Sequence, residues 1–207
     1  MPNYWISVPL ADYEGHMSDA NVDQLQPLAE LFAEALGGYE PASIAILGIA
    51  GGNGLEHVPS RVARIVGVDI NADYISVVRE RYANLSTLEL HCLDLAHPTA
   101  TSSVEAVVWV HAALLFEHAG MDVCLKSALS LVQATGTLSV VLQLPATGST
   151  DVASTGFTSM QLLKDEFALI DPNEFTARVS QAGFKLQRES RRALPGGKAF
   201  WLGVFRR

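Results

Sequence analysis

Two rhythms of apolar and polar residues alternate along the chain. Ile44–Leu47 and Ala63–Val68 are apolar runs of strand length, and Leu88–Cys92 and Thr137–Leu144 also read as strands. Val104–Val110, rich in β-branched residues, reads as a buried parallel strand. Between these runs the spacing turns helical. Asn71 offers a cap before Tyr74, Ile75, Val78 and Tyr82, and Leu125, Ala128, Leu129 and Val132 share one face before a turn at Thr135-Gly136. Asp171 caps a helix with Pro172 in its first turn, running to Gly183. Near the start, Ser18-Asp19 suggests a cap before Val22, Leu25, Leu28, Leu31, Phe32 and Leu36. Pro27 predicts a kink there, or two short helices, and Gly37-Gly38 an end. The residues before Ser18 read as irregular. Phe184–Ser190 and Ala199–Phe205, joined through Pro195-Gly196-Gly197, read as a closing hairpin. Pro145–Ser159 (PATGSTDVASTGFTS) is too long and aperiodic for an ordinary connection, so a mobile loop or an active-site cover is expected, spanning 145–170.

Composition sharpens this to a sheet covered on both faces, because 49% of residues are apolar and only 17% charged. At 207 residues, with no internal repeat, one domain is the economical reading. A formal charge of −8 argues against nucleic acid as partner, since phosphate contacts need clustered Lys and Arg. The one basic cluster, Arg188 with Arg191 and Arg192, reads as a solvated edge. No apolar stretch has the length of a membrane span, and residues 1–15 lack the pattern of a signal peptide. Cys92 and Cys124 form no motif and read as reduced core residues of a cytoplasmic protein.

The chemistry concentrates between Ser43 and Asp69. An apolar run enters a loop of small residues (Gly48, Ala50, Gly51, Gly52, Gly54), and the next run ends on an acid, Asp69, twenty-one positions beyond Gly48. Glycines let a ligand approach the backbone closely, and an acid at the end of the second strand is placed for the hydroxyls of a ribose. A triphosphate loop would need Lys and then Ser or Thr after its last glycine, where Leu55 and Glu56 stand. The dinucleotide spacing fails from Gly48 and from Gly52 alike. A glycine turn that only packs a helix on a sheet is the bland alternative.

The stretch resembles the first motif of class I S-adenosylmethionine-dependent methyltransferases, a strand with an acid followed by Gly-x-Gly-x-Gly. The resemblance rests on the order of Gly48, Ala50, Gly52 and Gly54, then Asp69, then Leu93-Asp94-Leu95, and extends from about Asp12 to the C-terminus. It implies an α/β, Rossmann-like fold: a three-layer αβα sandwich with a mostly parallel seven-stranded sheet and an antiparallel strand in the C-terminal hairpin. It also implies S-adenosylmethionine as cofactor. Gly48, Ile49, Ala50, Gly52 and Gly54 would form the loop, Asp69 and Ile70 would meet the ribose, Asp94 and Leu95 the adenine, and Val110 would lie close by. Residues 1–38 would fold over the cofactor as a helical lid, with Tyr13, His16 and Met17 in contact. Two departures stand out: Ile46 takes the place of the motif's acid, and Ala50 that of a glycine.

His111, at the expected end of the fourth strand, is the candidate general base, against a plain hydrogen-bonded strand-end histidine. His118 lies seven residues on, but no third ligand accompanies the two, so no metal is expected. The Asn-Pro-Pro-aromatic motif of amino-methylating DNA enzymes is absent after this strand. Methyl transfer to a small molecule is therefore the expected function. The rivals are a non-catalytic binding module and a nicotinamide-dependent oxidoreductase, the latter opposed by the lack of a Tyr-x-x-x-Lys pair.

Overall fold

The computed structural model describes residues 3–146, 155–163 and 167–207. Seven strands form one sheet in the order β3-β2-β1-β4-β5-β7-β6. They are β1 (Ser43–Leu47), β2 (Arg64–Asp69), β3 (Leu88–Cys92), β4 (Val107–Ala113), β5 (Val132–Leu144), β6 (Lys185–Ala193) and β7 (Ala199–Arg206). β1 pairs in parallel with β2 and β4, β2 with β3, and β4 with β5. Only β7 runs the other way, antiparallel to β5 and β6. The order reverses between β1 and β4, and this is the place where an open parallel sheet offers a crevice beyond its strand ends.

Period-two alternation divides the strand side chains between two cores. Ala45, Leu47, Val110 and Ala112 face α4 (Phe116–Ala119), α5 (Met121–Ser130) and α6 (Pro172–Gln181), packing on Phe116, Leu125, Ala128 and Phe175. Ile44, Ile46 and Trp109 face α2 (Leu25–Leu36) and α3 (Ala72–Arg81), packing on Leu31, Phe32, Ile75 and Val78. Two clusters on opposite faces give the three-layer sandwich that the resemblance implies. Asn71 and Asp171 cap α3 and α6 as expected, each accepting amide N–H bonds through its side chain.

Several expectations need correction. The leading residues are not irregular: a 3₁₀ turn spans Tyr4–Ser7 and α1 spans Leu10–Ser18. Asp19 therefore ends α1 rather than opening the next helix. Pro27 is the third residue of a single α2, where its missing N–H would have had no intrahelical partner, so neither a kink nor a split results. β4 starts and ends three residues later than the run suggested. Thr135-Gly136 is not a turn but a bulge within β5, since Val107 pairs with Val132 and Trp109 with Thr137. A Cβ on Gly136 would lie 2.8 Å from the Val108 carbonyl oxygen, so the bulge needs a glycine. Cys92 is exposed rather than core, whereas Cys124 is buried.

The basic edge is exposed, as expected, and two of its arginines also hold α2. Arg188 donates to the carbonyls of Glu34 (2.6 Å) and Ala35 (2.8 Å) in the last turn of α2, and Arg192 pairs with Glu30. A cation over these open carbonyls also meets the negative end of the helix dipole. Arg188→Ala should cost about 1 kcal/mol of stability, measurable as a lower urea midpoint at unchanged slope.

Candidate functional site

Loops from four adjacent strands meet at the switch point. Gly48 and Ala50 follow β1, Asp69 ends β2, Asp94 and Leu95 follow β3, and Ala113, Leu114 and Leu115 come from β4 and its exit. All line one crevice. The amides of Gly48 and Ile49 donate to Val68 O at 2.8 and 3.0 Å, fastening the loop to the end of β2.

Asp69 organises the floor. Its Oδ2 accepts from the Ala50 amide and its Oδ1 from the Asn71 amide, both at 2.9 Å. Burial pushes the carboxyl pKa up, and these amide bonds pull in the opposite direction. Asn71 works in two directions. Its Oδ1 caps α3, and its Nδ2 donates to Trp5 O at 2.9 Å, tying the first turn of the chain to the site. The loop is braced from outside as well: the Tyr82 hydroxyl donates to Gly52 O (3.1 Å), and Arg81 donates to Gly51 O (3.2 Å). Arg81 also forms a two-pronged pair with Glu14 of α1, which connects lid and loop.

The expected lid residues Tyr13, His16 and Met17 do line the crevice. The 145–170 cover falls partly outside the described residues (147–154 and 164–166). Its remainder packs on the lid. His16 Nδ1 shares a hydrogen bond with Thr155 Oγ1 (2.8 Å), Ser159 donates to Asp12 (2.6 Å), and Val8 clusters with Met160 and Leu163. Gly15 makes this contact feasible, since a Cβ there would lie 2.3 Å from the Phe157 ring.

Of the residues singled out from sequence, Gly48, Ala50, Asp69, Ile70, Asp94, Leu95, Tyr13, His16 and Met17 line the crevice. Ile49, Gly52, Gly54, Val110 and His111 do not. Ile49 packs into the core over Gly67, whose bare backbone leaves it room. Gly52 and Gly54 shape the turn through positive φ (89° and 93°), and Val110 is strand core. His111 is the main correction. The shift of β4 places it inside the strand, opposite Ile46 and Ser139 and on the α2 face. It is 4% exposed, its Nδ1 shares a hydrogen bond with Ser139 Oγ (2.8 Å), and its ring packs on Phe32. Burial lowers its pKa to about 3, so it stays neutral in the core, and it is not among the residues that line the crevice. His111→Ala should lower stability by about 2–4 kcal/mol while leaving ligand affinity in the crevice unchanged, as separate denaturation and calorimetry would show.

The position of the motif's acid also moves. Ile46 lies in the core, whereas Gly48 lines the crevice with φ 71°. Ala50 has φ 47°, a conformation that suits glycine. Counted as Ala50-Gly51-Gly52-Asn53-Gly54, the small residues keep the Gly-x-Gly-x-Gly spacing, and the residue two places before is Gly48.

Trp5, Tyr74, Gln143 and Lys198 also line the crevice with no sequence signal for it, and His118 stood out only as a neighbour of His111. Two buried polar atoms in this wall, Tyr74 Oη and His118 Nδ1, have no partner. Among the described residues, no three His, Cys, Asp or Glu side chains could hold a metal ion, and no helix is long and apolar enough to cross a membrane.

Comparison with known proteins agrees with this geometry. Residues 46–140 match a family profile described as a methyltransferase domain. This segment is similar to a methyltransferase domain. No curated protein sequence matches it. Among solved structures, N-methyltransferase NodS from Bradyrhizobium japonicum WM9, in complex with S-adenosyl-L-homocysteine, superposes with a TM-score of 0.70 at 13% identity, covering 99% of this chain and 98% of that one. Magnesium protoporphyrin IX methyltransferase from Synechocystis PCC 6803, with bound S-adenosylhomocysteine, gives 0.73 at 12% identity, covering 99% and 96%. The [4+2]-cyclase SpnF gives 0.66 at 12% identity, covering 87% and 80%. At these identities the structural likeness speaks for the methyltransferase fold. The methyltransferase domain implies S-adenosylmethionine as cofactor. The crevice suits this ligand: glycine backbone lies open at Gly48, two acids stand at successive strand ends, and Tyr74 Oη waits without a partner.

Proposed function

We propose that this chain transfers a methyl group from S-adenosylmethionine to a small-molecule acceptor. The convergence of Gly48, Ala50, Asp69, Ile70, Asp94 and Leu95 on one crevice at the sheet's switch point supports this reading above all. In it, Asp69 and Ile70 hold the ribose, Asp94 and Leu95 receive the adenine, and the loop backbone faces the amino-acid end. Bound there, the cofactor supplies an electrophilic methyl group. Residues Tyr13, His16 and Met17 of the lid, with Met160 and Leu163 of the cover, exclude water and orient the acceptor, a contribution worth up to about 7–11 kcal/mol. The free thiols Cys92 and Cys124 suit a reducing, cytoplasmic setting.

A second reading, a binding module without transfer, draws on Gly48, which leaves no carboxylate where the family's motif has its acid. Two measurements separate the readings. Calorimetry with S-adenosylhomocysteine tests the pocket. Incubation with S-adenosylmethionine and an acceptor collection, followed by mass spectrometry, tests transfer. Binding with no thioether product from any acceptor would favour the module.

A further inference from the structure

Tyr74 is the third residue of α3, among the residues that helical spacing sets on one inward face. It lines the crevice, is 1% exposed, and its Oη is sealed from water with no hydrogen-bond partner. A buried hydroxyl left unsatisfied destabilises the protein that carries it, and phenylalanine would pack the same ring without that cost. A hydroxyl kept in such a place calls for a partner from outside the chain.

Asn71 fixes where this group sits. Its Oδ1 accepts from the amides of Asp73 (2.9 Å) and Tyr74 (3.3 Å), and its own amide donates to Asp69 Oδ1 (2.9 Å). The first turn of α3 and the end of β2 are thereby held as one unit. Burial, and after it the charge of Asp69, push the Tyr74 phenol pKa up, so the hydroxyl keeps its proton and lies within the field of that carboxylate. The two groups do not bond each other. Asp69 accepts from the amides of Asn71, Ala50 and Ile70, and a carboxylate has about four acceptor sites, so acceptor capacity remains. Close together, then, stand a donor without an acceptor and an acceptor with room for a donor. A ligand hydroxyl completes both at once, because its O–H donates while its oxygen accepts. An N–H group or a carbonyl completes only one.

We propose that Tyr74 is a cofactor-binding residue whose O–H donates to the ribose hydroxyl that Asp69 accepts from. Tyr13 of the lid packs on the Tyr74 ring with centroids 6.3 Å apart, and burial followed by the Asp69 charge raises its phenol pKa as well. Through this ring pair the lid closes over the sugar, and the Tyr74 hydroxyl becomes reachable as α1 lifts. The pocket accordingly selects a ribonucleoside over its deoxy forms.

This assignment rests on the methyltransferase reading, so calorimetry of the wild-type protein with S-adenosylhomocysteine comes first. Absence of binding there would count against the cofactor site as a whole. Where the wild type binds, Tyr74→Phe should weaken S-adenosylhomocysteine at least fivefold. Its urea midpoint should stay level or rise, because the chain loses no internal hydrogen bond. Competition against S-adenosylhomocysteine by adenosine, 2′-deoxyadenosine and 3′-deoxyadenosine then locates the contact. In the wild type at least one deoxynucleoside should bind tenfold or more weakly than adenosine. Tyr74→Phe should shrink that gap at least threefold, since the two changes remove the same bond and cannot add. Three results overturn the role of the hydroxyl while leaving the cofactor site intact: unchanged S-adenosylhomocysteine affinity in Tyr74→Phe, a loss of affinity matched by a loss of stability, or a deoxynucleoside gap that is absent in the wild type or undiminished in the variant.

Discussion

Asp69→Ala is expected to weaken S-adenosylhomocysteine binding by about 1–3 kcal/mol, roughly 5- to 150-fold in Kd. The same substitution should destabilise the empty protein, because the Ala50 and Asn71 amides would lose their acceptor in a buried place. Two orphaned N–H groups cost about 1–3 kcal/mol each where water cannot reach them. Asp69→Asn gives the control. Its amide oxygen can accept one of the two bonds while its NH₂ opposes the other, so stability should fall between wild type and Asp69→Ala. Calorimetry and urea unfolding on all three proteins separate the roles. If affinity holds while stability drops, Asp69 serves the loop and not the ligand.

The second large effect concerns Glu117, in the first turn of α4. It is 1% exposed, its Oε1 accepts from the Gln143 amide (2.8 Å), and its Oε2 has no partner. Burial raises its pKa to about 7 against an ordinary 4.5. The folded protein therefore keeps a proton on Glu117 between pH 4.5 and 7 that the unfolded chain has released. Stability from this group falls as pH rises through that window, and ionisation above pH 7 costs about 3 kcal/mol. Glu117→Gln cannot ionise and keeps an oxygen for the Gln143 amide. The variant should gain on wild type from pH 4.5 upward, by about 3 kcal/mol at pH 8, on top of a pH-independent offset from its buried NH₂. His111 and His118, whose pKa values burial lowers to about 3 and about 4, act in the opposite sense below pH 6.5. They are present in both proteins and drop out of the difference. Urea unfolding of the pair at pH 5 and pH 8 checks the prediction, and a difference that does not change with pH would refute it.

Much of the architecture could be read from the residues because it rests on local rules. Parallel strands buried on both faces leave continuous apolar runs, and β1 differs from its run only by Ser43. Asn71, Asp171 and Gly37 acted as punctuation through their own side chains or a left-handed backbone. α1 escaped because nothing local announces it: Pro9 supplies no side-chain cap, Gly15 lies within it, and only His16 and Met17 are fully buried. The Gly-loop and Asp69 were legible because backbone demands are written in small residues. The rest of the crevice was not, since Trp5, His118, Gln143 and Lys198 come from distant segments with no shared spacing. The error over His111 has a simple origin in where β4 ends. The strand runs three residues past the expected end, so His111 lies inside the pleat and not at its open end.

The Asn71 side chain joins the chain's first turn to the same strand end that presents Asp69. Floor and roof of the crevice are thus joined through one side chain. Traffic through such a chamber should be ordered: the nucleoside enters before the partner molecule, and the spent thioether departs last. In the proposed reaction, accumulated thioether would then throttle turnover, competing with fresh donor rather than with the acceptor.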